Sequence, residues 1–238
     1  MASPPDYKIV RICTGSPRLT ELAAKFRETK LAALEAEPTG FATKLAEEAL
    51  IPLTTWRQRL EAPANLLICL VPSLSAPSTS DEDALIYGDW VGMCTMRGPL
   101  PYSMFHLPHS GQPVPANPDL ETRWHLNNLY TNLEHRGRGL ARRIVETGLE
   151  VAQEQTRALQ GEDEQMKARV RLFFDPSKTH LHRMYSGLGF KEAGKITLGE
   201  AFVANGDAEQ LPADMSSEEA KMKWGRRYGL SMERIVDA

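Results

Sequence analysis

The segment LYTNLEHRGRGLARR, residues 129–143, runs from a strand-like stretch through two glycines directly into an amphipathic helix, and that junction limits what the chain can be. Gly137 and Gly139 permit a sharp turn and let a ligand come close to bare backbone. The first helical turn has N–H groups with no acceptor inside the helix, and the helix dipole adds partial positive charge at the same end. Arg136, Arg138, Arg142 and Arg143 bring four guanidinium groups to the junction, each able to pair with phosphate oxygens two at a time. The segment therefore suits an anion, and a pyrophosphate carrier is its natural ligand.

The rest of the pattern alternates strands and helices. Residues 7–14 read as a first strand, and Leu19, Leu22, Ala23, Phe26, Lys30 and Leu34 then recur at helical spacing up to Pro38. Pro52 divides residues 43–60 into two short helices, one with Glu47 and Glu48 and the other with Trp56 and Leu60. Residues 66–71 and 85–97 read as strands joined by a mobile loop rich in Ser, Pro and acids over 73–83. Six prolines between 99 and 119 exclude helix and most strand pairing there. A strand follows over 123–132, a long helix over 139–159 and a strand over 169–174. Asp175 and Pro176 predict a capped helix start, with Leu181, Met184, Tyr185 and Leu188 on one face and Gly189 at a left-handed C-cap. Residues 190–198 and 228–236 are final strands around a polar insertion over 199–223, helical in part from Ser216 onward. This order implies a mixed α/β sheet covered by helices.

Lys and Arg number 28 against 31 Asp and Glu, a formal charge of -3, so no basic excess marks the chain for nucleic acid. The start lacks the features of a secretory signal and no apolar run is long enough to span a bilayer, so the chain reads as soluble, cytoplasmic and without a membrane partner. Cys13, Cys69 and Cys94 lie in apolar runs, as buried free thiols of a reducing compartment do. His106 with His109 and His180 with His182 lack a Cys or carboxylate at zinc spacing, and no metal is expected. Strong core-forming segments flank each loop-rich stretch, which points to one domain over 1–238 with insertions near 72–84, 98–122 and 199–223.

Three phosphate motifs can be compared at the glycine junction. A P-loop needs Lys and then Ser or Thr after its last glycine, where Leu140 and Ala141 stand. A dinucleotide fingerprint needs a third glycine where Arg142 stands. Arg136, Gly139 and Ala141 instead meet the pattern (Arg or Gln)-x-x-Gly-x-(Gly or Ala), and the chain resembles the GCN5-related N-acetyltransferases (GNAT). Tyr185 to Phe190, YSGLGF, resembles that family's Tyr-x-x-x-Gly-Phe, and residues 40–60 resemble its segment with a Phe before an acidic pair and a later Trp. Lys178 and Leu181 depart from the Asn and Ala common on the helix that carries the tyrosine.

The resemblance implies a GNAT fold, with a mostly antiparallel central sheet of about seven strands flanked by helices. It implies acetyl-CoA as co-substrate, its pyrophosphate held by Arg136, Gly137, Arg138, Gly139, Leu140, Ala141 and Arg142. Backbone groups of Leu129, Tyr130 and Thr131 would pair with the pantetheine arm and face the thioester carbonyl. Tyr185 matches the tyrosine that protonates the departing thiolate. His125 resembles in spacing a histidine of serotonin N-acetyltransferase and is one candidate base; Glu47 and Glu48 are the others, and with Phe41 they fall where the family binds its acceptor. The implied activity is direct acetyl transfer to a primary amine of a small molecule or peptide. A non-catalytic acyl-CoA-binding module for sensing or assembly, and transfer to a hydroxyl, stay open at this point.

Overall fold

The computed structural model describes residues 5–73, 80–107, 109–161 and 165–238. In chain order the elements are β1 (Lys8–Arg11), α1 (Leu19–Ala36), α2 (Leu45–Glu48), α3 (Leu53–Gln58), β2 (Ala64–Val71), α4 (Asp81–Tyr87), β3 (Asp89–Arg97), α5 (Tyr102–Phe105), β4 (Glu121–Thr131), α6 (Leu140–Arg157), β5 (Lys167–Phe174), α7 (Thr179–Gly187), β6 (Lys191–Thr197), α8 (Leu198–Asn205), α9 (Glu218–Ala220) and β7 (Tyr228–Asp237). The strands form an open, mostly antiparallel sheet in the order β1-β2-β3-β4-β5-β7-β6, with β4 and β5 parallel, and helices flank it as the resemblance implied.

Contacts divide the chain into two compact units, one formed by the residues up to Met96 with Asn128–Gly148 and the other by Arg97–Asn127 with Leu149–Ala238. In the first, α1 lays Leu19, Leu22, Ala23, Phe26 and Ala33 into a core shared with Val10, Ile12, Leu66, Ile68, Leu70 and Met93. Trp56 of α3 meets Phe26 edge-on at 5.2 Å, and both are buried. Pro52 stands at the N-cap of α3, so the proline break between the two short helices is observed. A Cβ on Gly92 of β3 would lie 2.9 Å from Ile144 Cδ1 of α6 and 3.1 Å from the Tyr130 carbonyl oxygen; only a glycine lets the fully buried Ile144 of α6 settle there.

In the second unit β4 pairs with β5 from Glu121↔Lys167 to Leu126↔Leu172, and β5 pairs with β7 along its whole length. Tyr185 of α7 packs between Phe174 and Phe190, with ring centroids 5.6 and 5.8 Å away. Gly189 takes φ +81 after α7, and the Phe190 N–H returns to the Tyr185 carbonyl at 3.0 Å, the left-handed C-cap that the sequence predicts. A separate small cluster joins Leu198 and Phe202 of α8 to Ala220 and Trp224.

Five expectations need correction. Residues 85–87 belong to α4, not to a strand: Ser80 accepts the Asp83 N–H, Asp81, Glu82 and Asp83 fill the first turn, and β3 starts only at Asp89. Most of the expected loop over 73–83 lies outside the described residues. Asp175 caps a turn and not a helix, since its carboxylate accepts the Ser177 N–H at 2.9 Å and α7 starts later, at Thr179. The stretch 199–223 is no polar loop at its start, because Thr197 and Glu200 form a capping box for α8 and Ala201, Phe202 and Ala204 are buried. The proline-rich stretch does hold helical turns, α5, which buries Phe105, and a 3₁₀ turn starting at Pro118, and Cys13 is exposed, not buried.

Candidate functional site

In the first unit, β4 ends at Thr131 and Asn132 begins a 3₁₀ turn by accepting the Glu134 N–H at 3.0 Å, while its own N–H bonds the Val91 carbonyl at 2.8 Å. The chain then passes through Gly137 and Gly139, each at φ +74, into α6. A side chain at these angles is strained, so the glycines are required by conformation. They also serve approach: nothing lies within 4 Å of a Cβ built on either. Leu140 turns its side chain inward and is 2% exposed, leaving its backbone at the open end of the helix.

The arginines of this junction are already engaged by the protein. Arg136 donates through Nη1 to Glu37 Oε1 at 2.9 Å, through Nη2 to Glu37 Oε2, and through Nε to the Thr131 carbonyl at 3.1 Å. That carboxylate raises the guanidinium pKa further. Arg138 donates to the Tyr7 hydroxyl, which also meets His135 Nδ1 at 2.9 Å. Arg143 reaches the Tyr7 carbonyl at 3.2 Å, and Arg142 pairs with Glu146 one turn on. These are polar partners of exposed side chains, which a bound phosphate can replace.

The residues read as acceptor-binding separate in the structure. Glu47 is exposed, but Glu48 is 1% exposed and takes Arg59 Nη1 at 2.6 Å, with the Arg59 guanidinium 4.7 Å over the Trp56 ring. Glu48 is thus an internal ion-pair residue, a correction to its reading as a docking charge or base. Phe41 is half-buried, 6.1 Å from the Tyr130 ring. It also covers the Lys30 amine, whose Nζ lies 3.5 Å from the Phe41 centroid and donates to Asn128 Oδ1 at 2.7 Å. Burial raises the Tyr130 phenol pKa, and Glu37 adds to that. Neither Glu37 nor the Lys30–Asn128 pair was singled out from sequence. Lys30 did leave a signal, a lysine four residues from both Phe26 and Leu34 on an apolar stripe.

In the second unit His125 has no exposed surface. Its Nε2 meets Asn205 Oδ1 of α8 at 2.8 Å and its ring lies 4.7 Å from Phe173. Burial, with Arg171 close by, pushes its pKa well below the usual imidazole value. Arg171 is itself fully buried against Phe105 and Phe173, its centre 4.0 and 5.0 Å from their rings, and burial lowers its pKa to about 10. Next to it Arg169 binds Glu121 through two nitrogens and Glu233 through the third, and Gln112 completes Glu233. Within this unit His125 is a packed neutral imidazole, and the role of base for a solvent-borne ammonium does not suit it. Tyr185, 5% exposed, has the packed surroundings already described.

Among the described residues no helix is long and apolar enough to cross a membrane, and no group of three or more His, Cys, Asp or Glu side chains is arranged to hold a metal ion.

No curated protein sequence matches this chain. Solved structures do match its fold. An acetyltransferase of the GNAT family from Streptococcus pneumoniae is 12% identical with a TM-score of 0.53, over 97% of this chain and 99% of that one. Arabidopsis thaliana NAA60 in complex with acetyl-CoA is 11% identical with a TM-score of 0.52, over 97% and 99%. The ribosomal-protein-S5-alanine acetyltransferase of Vibrio fischeri is 11% identical with a TM-score of 0.52, over 96% and 92%. The acetyltransferase (GNAT) family model matches residues 84–190, a span that contains both the glycine junction and the Tyr185 to Phe190 motif. That match identifies residues 84–190 as a GNAT acetyltransferase domain, and the fold of the chain is the one those solved structures share.

Proposed function

We propose that this protein moves an acetyl group from acetyl-CoA directly to a primary amine of a small molecule or peptide. The observation that carries the reading is the pair Gly137 and Gly139, both left-handed and both facing open space, at the start of α6 among four arginines. A pyrophosphate needs that combination of bare backbone, free N–H groups and cationic side chains. Bound acetyl-CoA supplies the acetyl thioester, whose carbonyl carbon forms the new C–N bond as its C–S bond breaks.

The chain's own residues then have separable tasks. Backbone amides of Gly137, Gly139, Leu140 and Ala141 bind the pyrophosphate, and Arg136, Arg138 and Arg142 exchange their present partners for its oxygens. Leu129, Tyr130 and Thr131 offer backbone groups to the pantetheine arm and the carbonyl oxygen. The Tyr185 hydroxyl gives its proton to the leaving sulfur and regains, through solvent, the proton that the acceptor nitrogen sheds as it becomes an amide. Glu47 attracts the protonated acceptor, which loses its ammonium proton to solvent base before it reacts. Phe41 contributes apolar contact on the same side.

The test is release of free thiol from acetyl-CoA with a panel of small amines and N-terminal peptides. Acetylated product equal to the thiol released supports the reading. Tight coenzyme A binding without turnover on any acceptor would favour the sensing or assembly module instead.

A further inference from the structure

We propose that Lys30 is a positioning residue for acetyl transfer: it holds Asn128 in a left-handed conformation and so sets the orientation of the peptide groups from Leu129 to Thr131. The inference rests on the reading that those peptide groups bind the pantetheine arm. Among the described residues Asn128 is the one non-glycine residue with a positive φ, +54, and it stands inside β4. Asn tolerates this region better than most side chains, but inside a strand it is uncommon, so the surroundings hold it there. Residues 127, 128 and 129 are half-buried, between the buried run 122–126 and the buried pair Tyr130 and Thr131.

Two side chains clamp the Asn128 amide from opposite ends. Lys30 Nζ donates to Oδ1 at 2.7 Å, and Nδ2 donates to Thr95 Oγ1 at 3.4 Å. Lys30 arrives from the apolar stripe of α1 and is 3% exposed, with the Phe41 ring 3.5 Å from its Nζ. A buried ammonium is destabilising unless hydrogen-bonded, and an apolar residue would continue the stripe at no such cost. The charge goes instead to the amide of Asn128, whose backbone is left-handed. A turned peptide at 128 rotates the N–H and C=O groups that follow it, and the next three residues are those assigned to the arm of the co-substrate.

The experiment compares two ligands that share the pyrophosphate end, coenzyme A and adenosine 3′-phosphate 5′-diphosphate, which lacks the arm. Calorimetry is run on the wild-type chain, on Lys30→Met, and on Lys30→Met with Asn128→Gly. Glycine takes positive φ without strain, and the double variant removes both polar partners at once. Lys30→Met is expected to bind coenzyme A about tenfold more weakly, the loss of one or two backbone hydrogen bonds, and the short nucleotide unchanged. The double variant is expected to recover to within about threefold of wild type. A merely structural lysine would weaken both ligands alike and gain nothing from the glycine, and either outcome overturns the proposal. Unchanged coenzyme A affinity in Lys30→Met overturns it too. Should Lys30→Met not fold, the double variant decides: a folded chain with near wild-type coenzyme A affinity supports the proposal, and a folded chain that has lost it does not. A wild-type chain that binds neither ligand would remove the acetyl-CoA reading and this proposal with it.

Discussion

Glu37, the residue just past the end of α1, holds both terminal nitrogens of Arg136, and the remaining nitrogen of that guanidinium is tied to the Thr131 carbonyl. In the proposed reading of this loop, an internal anion already holds the guanidinium that an external one is to bind. Both side chains are partly exposed, at 41% and 30%, so water and salt weaken the pair. Glu37→Gln is expected to tighten coenzyme A binding by up to about fivefold, the worth of a screened surface pair. Titration calorimetry checks it, and weaker binding in this variant would mean that Glu37 holds Arg136 in its productive position.

Gly139→Val should fold, because a Cβ there meets nothing within 4 Å. The left-handed backbone costs the variant about 1–2 kcal/mol, while the valine fills the space in front of the loop. Acetyl-CoA affinity is expected to fall by more than about tenfold, each such factor being about 1.4 kcal/mol. A folded variant with wild-type affinity would place the pyrophosphate elsewhere.

Removing one oxygen from Tyr185 leaves the ring between Phe174 and Phe190 in place. The stability of Tyr185→Phe should stay within about 1 kcal/mol of wild type. Turnover with acetyl-CoA is expected to drop on the order of 10²-fold if the hydroxyl supplies the proton to sulfur. Equal turnover in the two proteins would assign Tyr185 to packing.

The two neighbouring glutamates of α2 should respond differently to the same substitution. Glu48→Gln leaves Arg59 facing a neutral amide in a buried site and is expected to lower stability by about 2–4 kcal/mol, read as a denaturant midpoint. Glu47→Gln should leave the midpoint unchanged and raise the acceptor KM, with the acetyl-CoA KM unmoved. A fall in kcat at constant KM would make Glu47 a base.

His125 gives the fold a pH dependence whose sign follows from its burial. Its pKa in the folded chain lies well below 6.5, so as the pH drops below that value the unfolded chain takes up a proton that the folded one refuses. Stability contributed by the neutral ring is present above about pH 6.5 and is lost progressively as the pH falls toward the depressed value. Urea midpoints at pH 7.5 and 5.0 should show a smaller acid loss in His125→Gln than in wild type. Parallel losses would mean that other groups dominate.

The glycine junction was legible because its conformational demand is local: two positive φ angles and a helix start are written in RGRG and the periodicity behind it. The same holds for the break at Pro52 and the cap at Gly189. The capping box of α8 was written just as locally, in TLGE, but the polar residues after it masked a short helix that buries Phe202. Glu48 could not be told from Glu47, since a four-residue helix has no period to separate its faces. The pairing of Glu37 with Arg136, 99 positions apart, and of Lys30 with Asn128, 98 apart, depends on the tertiary fold, and no local pattern carries it.

The three thiols differ in a way that an experimenter can use. Burial raises the Cys69 thiol to about 11 and the Cys94 thiol further still, while Cys13 is exposed just past β1. Near neutral pH the two buried sulfurs are both shielded and protonated, and only a thiolate is a good nucleophile. A maleimide dye added to the folded, unaltered chain should therefore attach once, at Cys13, and give a fluorescent reporter without any engineered cysteine.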